Sequence, residues 1–199
     1  MLLESVLRAV ISLLLGATMI LGGCDKQSPP TPQAKQAETP VAAAPSGPEL
    51  TGQVDMSHRG ETMPVAAFEA PNGDKVTLGD FRGRPLLVNL WATWCGPCVA
   101  EMPTLDQIAS RESERLQVMV ISQDAQGRKI VDDFWSKQNF KMLQPYLDQK
   151  SDLGFAYKTD MIPTTVLYDK AGKEVWRVVG GMNWDGPRAN TLLADALGS

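Results

Sequence analysis

Cysteine, histidine and basic residues are all scarce in this chain of 199 residues. It has three cysteines, one histidine and a formal net charge of -4. A small scaffold stapled by disulfides needs several cysteines in a short chain, and a nucleic-acid-binding surface needs an excess of Lys and Arg. The composition favours neither class. Its 43% hydrophobic content is enough for one globular domain with its own core.

The chain also lacks the residues for a zinc site or a hydrolase. Cys95 and Cys98 are spaced like half of a zinc site, but a structural zinc requires about four ligands. The remaining candidates are His58 and Cys24, which lie in the N-terminal region far from the pair in sequence. Because His58 is the only histidine, a catalytic Cys-His pair has little support either. We therefore expect no metal.

Long hydrophobic runs are absent as well. The apolar stretch at 9–23 has 15 residues, which is shorter than the roughly 20 of a comfortable membrane-spanning helix. It follows Arg8 and ends in the small residues Gly22 and Gly23, an arrangement typical of a secretory signal peptide. We predict a signal peptide at 1–23 and a mature protein outside the cytoplasm.

Cys24 follows this apolar stretch directly. The segment Leu-Gly-Gly-Cys at 21–24 resembles a bacterial lipobox, which predicts that Cys24 becomes a lipidated N-terminus. Asp25 resembles the signal that retains lipoproteins in the inner membrane, which indicates the periplasmic side of that membrane. The alternative is an uncleaved N-terminal anchor. Residues 24–58 are then a Pro- and Ala-rich tether, and 59–199 form the folded domain.

Strand and helix patterns alternate in the region 59–199. Asn72-Gly73 is a pair that accepts the positive φ angles of a tight hairpin, and the apolar run at 86–91 fits a strand covered on both faces. The helix and strand that follow it make the neighbouring strand parallel. The fold class is α/β: a central mixed sheet with helices on both faces and an N-terminal β-hairpin extension. The predicted strands are 65–68, 75–78, 86–91, 116–122, 165–168 and 174–179, and the predicted helices are 96–109, 130–138 and 190–197.

Two thiols lie where the central strand meets the first turn of a helix, in the sequence Trp94-Cys95-Gly96-Pro97-Cys98. Unpaired N–H groups and the helix dipole at this position stabilise negative charge on the first sulfur and lower its pKa. We therefore assign Cys95 as the nucleophile. Cys98, one turn further on, is placed to attack the mixed disulfide that Cys95 forms with a substrate.

The segment Trp-Ala-Thr-Trp-Cys-Gly-Pro-Cys at 91–98 resembles the active-site segment of thioredoxins. The N-terminal hairpin, the segment at 99–103 and the additional residues between 140 and 160 resemble the membrane-anchored TlpA/ResA branch of that superfamily. The resemblance implies a thioredoxin fold whose redox centre is the Cys95–Cys98 disulfide, with no other cofactor. It implies reduction of disulfides in envelope proteins, often apocytochrome c, and a membrane electron donor of the DsbD/CcdA type.

Three further positions follow from the resemblance. Ile162-Pro163 is similar to the family's cis-proline loop, which presents backbone groups to an extended substrate; from sequence alone, Pro163 might simply begin a strand. Asn89 stands where thioredoxins carry a buried Asp, so acid-base assistance to Cys98 must come from elsewhere. The candidate is Glu101, three residues after Cys98, and the alternative is an ordinary exposed helix glutamate.

Two neighbouring tryptophans are expected to differ in role. Trp91 lies on the central strand and should be part of the core, whereas Trp94, beside the thiols, should contact substrate.

Two rival functions stay open. The same fold can act as a disulfide oxidase or isomerase, although Gly96-Pro97 resembles the dipeptide of reducing family members. It can also serve as a binding or chaperone module without turnover.

Overall fold

The computed structural model describes residues 52–197. The predicted signal peptide, the lipidation site Cys24 and most of the tether lie outside that range. No helix between residues 52 and 197 is long and apolar enough to cross a membrane. The strands are β1 (Gln53–Asp55), β2 (Ala67–Glu69), β3 (Lys75–Thr77), β4 (Leu86–Trp91), β5 (Gln117–Ser122), β6 (Pro145–Leu147), β7 (Thr164–Tyr168) and β8 (Glu174–Val179), and the helices are α1 (Gly96–Arg111), α2 (Arg128–Trp135), α3 (Asp152–Tyr157) and α4 (Pro187–Leu197).

The strands form one mixed sheet of eight, in the order β1-β8-β7-β4-β5-β6-β2-β3. Strands β4, β5 and β6 run parallel to one another, and β7 lies antiparallel to β4. The predicted N-terminal hairpin is present as β2 and β3, with Gly73 at a φ of 90° in its turn. The predicted fold class, a mixed sheet flanked by helices, is confirmed.

Strand β4 supplies side chains to both hydrophobic clusters of the domain. All six of its residues are buried, because it lies in the interior of the sheet. Leu87 and Trp91 belong to one cluster, and Leu86 and Leu90 to the other, as the two-residue alternation of a strand requires. Trp91 is fully buried, which confirms its expected place in the core. The end of β4, from which the thiols follow, is therefore held rigidly.

Strand β1 is an element that the sequence did not predict. It pairs with β8 at the edge of the sheet and lies within 24–58, the segment predicted to be a tether, so the sheet begins before residue 59. Gly52 permits the close approach, since a Cβ there would lie 2.6 Å from the Gly180 carbonyl oxygen. A strand of three residues is too short to show a hydrophobic period, and its pairing with β8 decides its conformation.

Strand β6 and helix α3 occupy the additional segment between residues 140 and 160, and neither was predicted. Helix α3 has only six residues, and its first N–H groups are satisfied from outside the helix. The carboxylate of Asp148 accepts the N–H groups of Asp152 at 3.0 Å and Leu153 at 2.8 Å. A cap of this kind fixes where the helix begins.

Arg177, which belongs to a buried ion pair within β8, fastens the end of α3 to that strand. Arg177 donates to both carboxylate oxygens of Glu174, each at 2.7 Å, and to the Tyr157 carbonyl oxygen at 2.8 Å. Both charged residues are less than 5% exposed. Removing one partner of such a pair leaves a charge uncompensated in the protein interior, which costs about 3–5 kcal/mol.

We expect Glu174→Gln to lower the free energy of unfolding by several kcal/mol, because Arg177 then keeps its charge without a counterion. Urea denaturation of the disulfide-bonded protein measures the change. The control is Asp133→Asn, which breaks the exposed Lys129–Asp133 pair and should cost less than about 1 kcal/mol. Equal losses in the two variants would show that the Glu174–Arg177 pair does not stabilise the fold.

Candidate active site

The two thiols that the sequence singled out form a disulfide at the beginning of α1. The Cα atoms of Cys95 and Cys98 are 5.3 Å apart. Cys95 is the N-cap residue of the helix, and its Sγ accepts the Cys98 N–H at 3.3 Å. An N-cap acceptor faces unpaired N–H groups and the positive end of the helix dipole. After reduction, the same groups would stabilise a Cys95 thiolate.

The two sulfurs differ in access. Cys95 is 5% exposed and Cys98 is fully buried. Thiol-disulfide exchange requires a thiolate, a target disulfide and an approach path between them. Of the two cysteines, only Cys95 offers such a path.

A proline loop lies against the disulfide. The Ile162–Pro163 peptide bond is cis, as the family resemblance implied, and the Ile162 carbonyl oxygen lies 3.7 Å from Cys95 Sγ. The Thr164 hydroxyl donates to the Met161 carbonyl at 2.7 Å, and the Pro163 carbonyl accepts the Gly180 N–H at 2.8 Å. These bonds hold the backbone of the loop beside the reactive sulfur.

Asp124 fixes the segment between β4 and the disulfide. One carboxylate oxygen accepts the Thr93 N–H at 2.9 Å, and the other accepts the Thr93 hydroxyl at 2.8 Å. The Ser122 hydroxyl also donates to this carboxylate, at 2.7 Å. Asp124 was not predicted from the sequence as a site residue. The available signal was its position just past the carboxyl end of a strand parallel to β4, where functional groups of α/β sheets gather.

Glu101 is fully buried, so the alternative of an exposed helix glutamate is wrong. One carboxylate oxygen accepts the Asn89 side-chain N–H at 2.7 Å. The other accepts the Met182 backbone N–H at 2.8 Å and the Trp184 indole N–H at 3.1 Å. Burial raises the pKa of Glu101 to about 7, and the three donors oppose that rise only in part. The sequence carried no signal for the contacts to Met182 and Trp184, which belong to the loop after β8.

Asn89 connects Glu101 to β7. Its Nδ2 donates to Glu101 and, at 2.9 Å, to the Thr165 hydroxyl. Its Oδ1 is buried and has no hydrogen-bond donor within residues 52–197. Rotating the amide by a half turn would let Oδ1 accept from a protonated Glu101 and from the Thr165 hydroxyl. The two amide orientations therefore suit the two protonation states of Glu101.

The other residues named from the sequence lie apart from this centre or on its rim. Trp94 is 67% exposed beside Cys95, in the position expected of a substrate contact. His58 lies near the beginning of the domain, with Nδ1 3.0 Å from a Glu61 oxygen. Within the described range, no three His, Cys, Asp or Glu side chains form a group that could hold a metal ion.

A disulfide at the N-terminus of the helix that follows a central strand, faced by a cis-proline loop, defines a thioredoxin-fold redox protein. The chain belongs to the Redoxin family, whose model matches residues 58–193. It is a thiol-disulfide oxidoreductase of the TlpA/ResA type.

Relatives and solved structures of similar sequence support this assignment. The thiol-disulfide oxidoreductase ResA of Bacillus cereus is 32% identical over 119 residues, covering 56% of this chain and 68% of its own. ResA of Bacillus subtilis is 29% identical over 126 residues, covering 62% and 68%. A structure from Chlorobium tepidum, titled as a candidate thiol:disulfide interchange protein DsbE, is 26% identical with a TM-score of 0.63. It covers 70% of this chain and 97% of its own.

The raised pKa of Glu101 gives stability a pH dependence. The folded protein holds this proton up to about pH 7, whereas the unfolded chain releases it near 4.5, the ordinary pKa of a glutamate. The unfolded state therefore binds fewer protons in that window, and the free energy of unfolding falls as the pH rises through it. Glu101→Gln imitates the protonated form, because its amide N–H can donate to Oδ1 of Asn89 once the Asn89 side-chain amide has rotated by a half turn.

We expect the stability of Glu101→Gln relative to wild type to increase by on the order of 3 kcal/mol between pH 5 and 8. Urea denaturation of the disulfide-bonded proteins across that pH range measures the difference. Glu114→Gln, at an exposed carboxyl group, should follow the wild-type curve. A constant difference between Glu101→Gln and wild type would show that Glu101 does not titrate in this window.

Proposed function

We propose that this protein reduces disulfide bonds in other proteins on the outer side of the cytoplasmic membrane. The observation that carries the proposal is the arrangement of the two sulfurs: an accessible, N-capping Cys95 faces the proline loop, and a buried Cys98 lies behind it. In such an arrangement the more accessible thiolate reaches a large substrate while the second thiol stays protected from it. Gly96 and Pro97, between the cysteines, resemble the dipeptide of reducing members of the thioredoxin family.

The reaction transfers two electrons in two exchanges. The Cys95 thiolate attacks one sulfur of the substrate disulfide, the substrate S–S bond breaks, and one substrate thiolate leaves. Cys98, once deprotonated, attacks the Cys95 sulfur of the mixed disulfide and releases the second substrate thiolate. The substrate is now a dithiol, and the protein holds the Cys95–Cys98 disulfide. A dithiol donor in the membrane, of the DsbD/CcdA type, must then reduce it again.

Glu101 is the acid-base residue of the second exchange. It lies one helical turn after Cys98 and on the same side of α1. A group with a pKa of about 7 can take up and release a proton near neutral pH. We infer that Glu101 receives the Cys98 proton as the resolving thiolate forms. This places on a glutamate of α1 the task for which thioredoxins use an aspartate at the position of Asn89.

The test is the equilibrium reduction potential of the Cys95–Cys98 pair, measured by alkylating thiols after incubation in graded redox buffers. We expect about -270 mV, the value of a reducing thioredoxin. A value near -120 mV would instead identify a disulfide oxidase. A second experiment uses the double variant Cys95→Ser, Cys98→Ser in cells. If that variant still supports the maturation of proteins whose disulfides must be reduced, the protein is a binding or chaperone module.

We also propose that a lipid on Cys24 attaches the protein to the periplasmic face of the inner membrane, where apocytochrome c is a candidate substrate. The lipobox-like sequence at 21–24 supports this location. A lipid anchor with a long tether would keep the domain near a membrane donor while allowing it to reach substrates.

We expect Cys24→Ser to abolish incorporation of labelled fatty acid, because the lipidated sulfur is lost. Metabolic labelling followed by separation of membrane and soluble fractions measures this. Gly22→Ala, which leaves a small residue in the lipobox, is the matched control and should label normally. Membrane association without label in the wild-type protein would favour the uncleaved N-terminal anchor.

A further inference from the structure

A cavity of about 540 Å³ opens beside the disulfide. Its walls come from four parts of the chain: the end of β4 with the segment before Cys95, the residue that follows β5, helix α3 with its flanking residues, and the proline loop. The residues that matter here are Trp94, Ile162, Phe155 and Gln123. The cavity therefore joins the redox centre to α3, an element of the additional segment between 140 and 160.

Large exposed apolar side chains gather around this cavity. Phe155 is 76% exposed and Trp94 is 67% exposed, and both line it. Met161, which precedes Ile162 at the proline loop, is 52% exposed. A cluster of exposed aromatic and apolar groups on a domain with a well-filled core is typical of a binding surface.

The cavity is continuous with the path that a substrate must take. Trp94 directly precedes Cys95, and the carbonyl oxygen of Ile162 lies 3.7 Å from Cys95 Sγ. A polypeptide whose cysteine is bonded to Cys95 therefore has its neighbouring residues at the mouth of the cavity. The occupant that fits is a segment of the substrate itself.

Helix α3 presents Phe155 from a fixed position. Asp148 accepts two N–H groups at the beginning of the helix, and Arg177 binds the carbonyl of its last residue, Tyr157. A backbone held in place before binding loses little conformational entropy when a ligand arrives.

One polar group of the cavity lacks a partner. Gln123 is 8% exposed, and its amide nitrogen lies 3.3 Å from an Asp148 oxygen. Its Oε1 has no donor in the part of the chain that the structure describes. A buried acceptor without a donor is costly, and an N–H group of an occupant that reached this depth would satisfy it.

We propose that this cavity binds an aromatic or large aliphatic side chain adjacent to the cysteine of the substrate polypeptide, with Phe155 and Trp94 as the contact residues. The proposal rests on the proposed function and names its substrate class: extended segments in which an apolar residue neighbours the disulfide-bonded cysteine. Phe155 then determines which substrate segments bind, and it does not alter the reactivity of the thiols, because it lies outside the redox motif and adds only contact area.

The test uses the reduced full-length protein in detergent and two synthetic peptides of equal length. Each carries one cysteine as a mixed disulfide with glutathione, flanked by Phe and Leu in one peptide and by Ser in the other. The readout is the ratio of the two second-order rate constants for glutathione release. Each protein's rate with oxidised glutathione serves as a reference for its thiol reactivity.

We expect wild type to reduce the apolar peptide about tenfold faster than the serine peptide, and Phe155→Ser to lower that ratio to about two. The matched control is Val65→Ser, which removes a side chain that is 90% exposed outside the cavity, and it should keep the wild-type ratio. Restoration of the ratio in Phe155→Leu would confirm that apolar contact is responsible.

Equal rates for both peptides in wild type would overturn the inference and leave the proposed function standing. Failure to reduce either peptide or oxidised glutathione would instead overturn the proposed function. A wild-type dimer that Phe155→Ser dissociates in analytical ultracentrifugation, together with equal peptide rates, would overturn the inference and assign the cavity to a second copy of the chain.

Discussion

A carboxylate with no access to water holds together the elements behind the disulfide. Glu101, on α1, is hydrogen-bonded to β4 through Asn89 and to the loop after β8 through Met182 and Trp184. Asn89 in turn bonds to Thr165 on β7. A buried carboxylate is tolerated only when donors surround it, so these elements must meet in one arrangement. That arrangement fixes the helix that carries Cys98.

The Asn–Glu pair also explains how this domain differs from one with an aspartate on the central strand. An amide at position 89 can satisfy either form of Glu101, because one end donates and the other accepts. A carboxylate there would lie against Glu101, and two buried like charges raise each other's pKa. Asn rather than Asp at position 89 therefore suits a domain that has the acidic Glu101 on α1.

Local patterns in the sequence were enough to predict the elements that form the site. The apolar run at 86–91 and the sequence Cys-Gly-Pro-Cys predicted β4 and the beginning of α1 nearly to the residue. Strand β6 and helix α3 were missed because each is short and depends on distant partners. The residues that flank helix α3, Ser151 before it and Lys158 after it, both have a φ of 55°, and neither residue type is a usual signal for such a backbone.

The residues of the site also divide into those that a local sequence pattern reveals and those that depend on distant partners. Cys95 and Cys98 are recognisable because the motif that contains them is local, and Pro163 is recognisable through its resemblance to the family's proline loop. Asp124 contacts Thr93, 31 residues away, and Glu101 contacts Met182 and Trp184, 81 and 83 residues away. No local pattern encodes such contacts. Their identity had to come from the folded structure, since burial gives these groups their chemical importance.

The burial of Glu101 and Cys98 on neighbouring turns of one helix constrains how charge moves through the resolving step. A thiolate at Cys98 beside an ionised Glu101 would place two negative charges in a region from which water is excluded, and that is unfavourable. In the proposed mechanism, transfer of the Cys98 proton to Glu101 would keep the buried charge at one. When Cys98 then attacked Cys95, the negative charge would leave with the substrate thiolate and enter solvent. The buried site would finish the step as a disulfide and a neutral carboxyl group, which its low polarity favours.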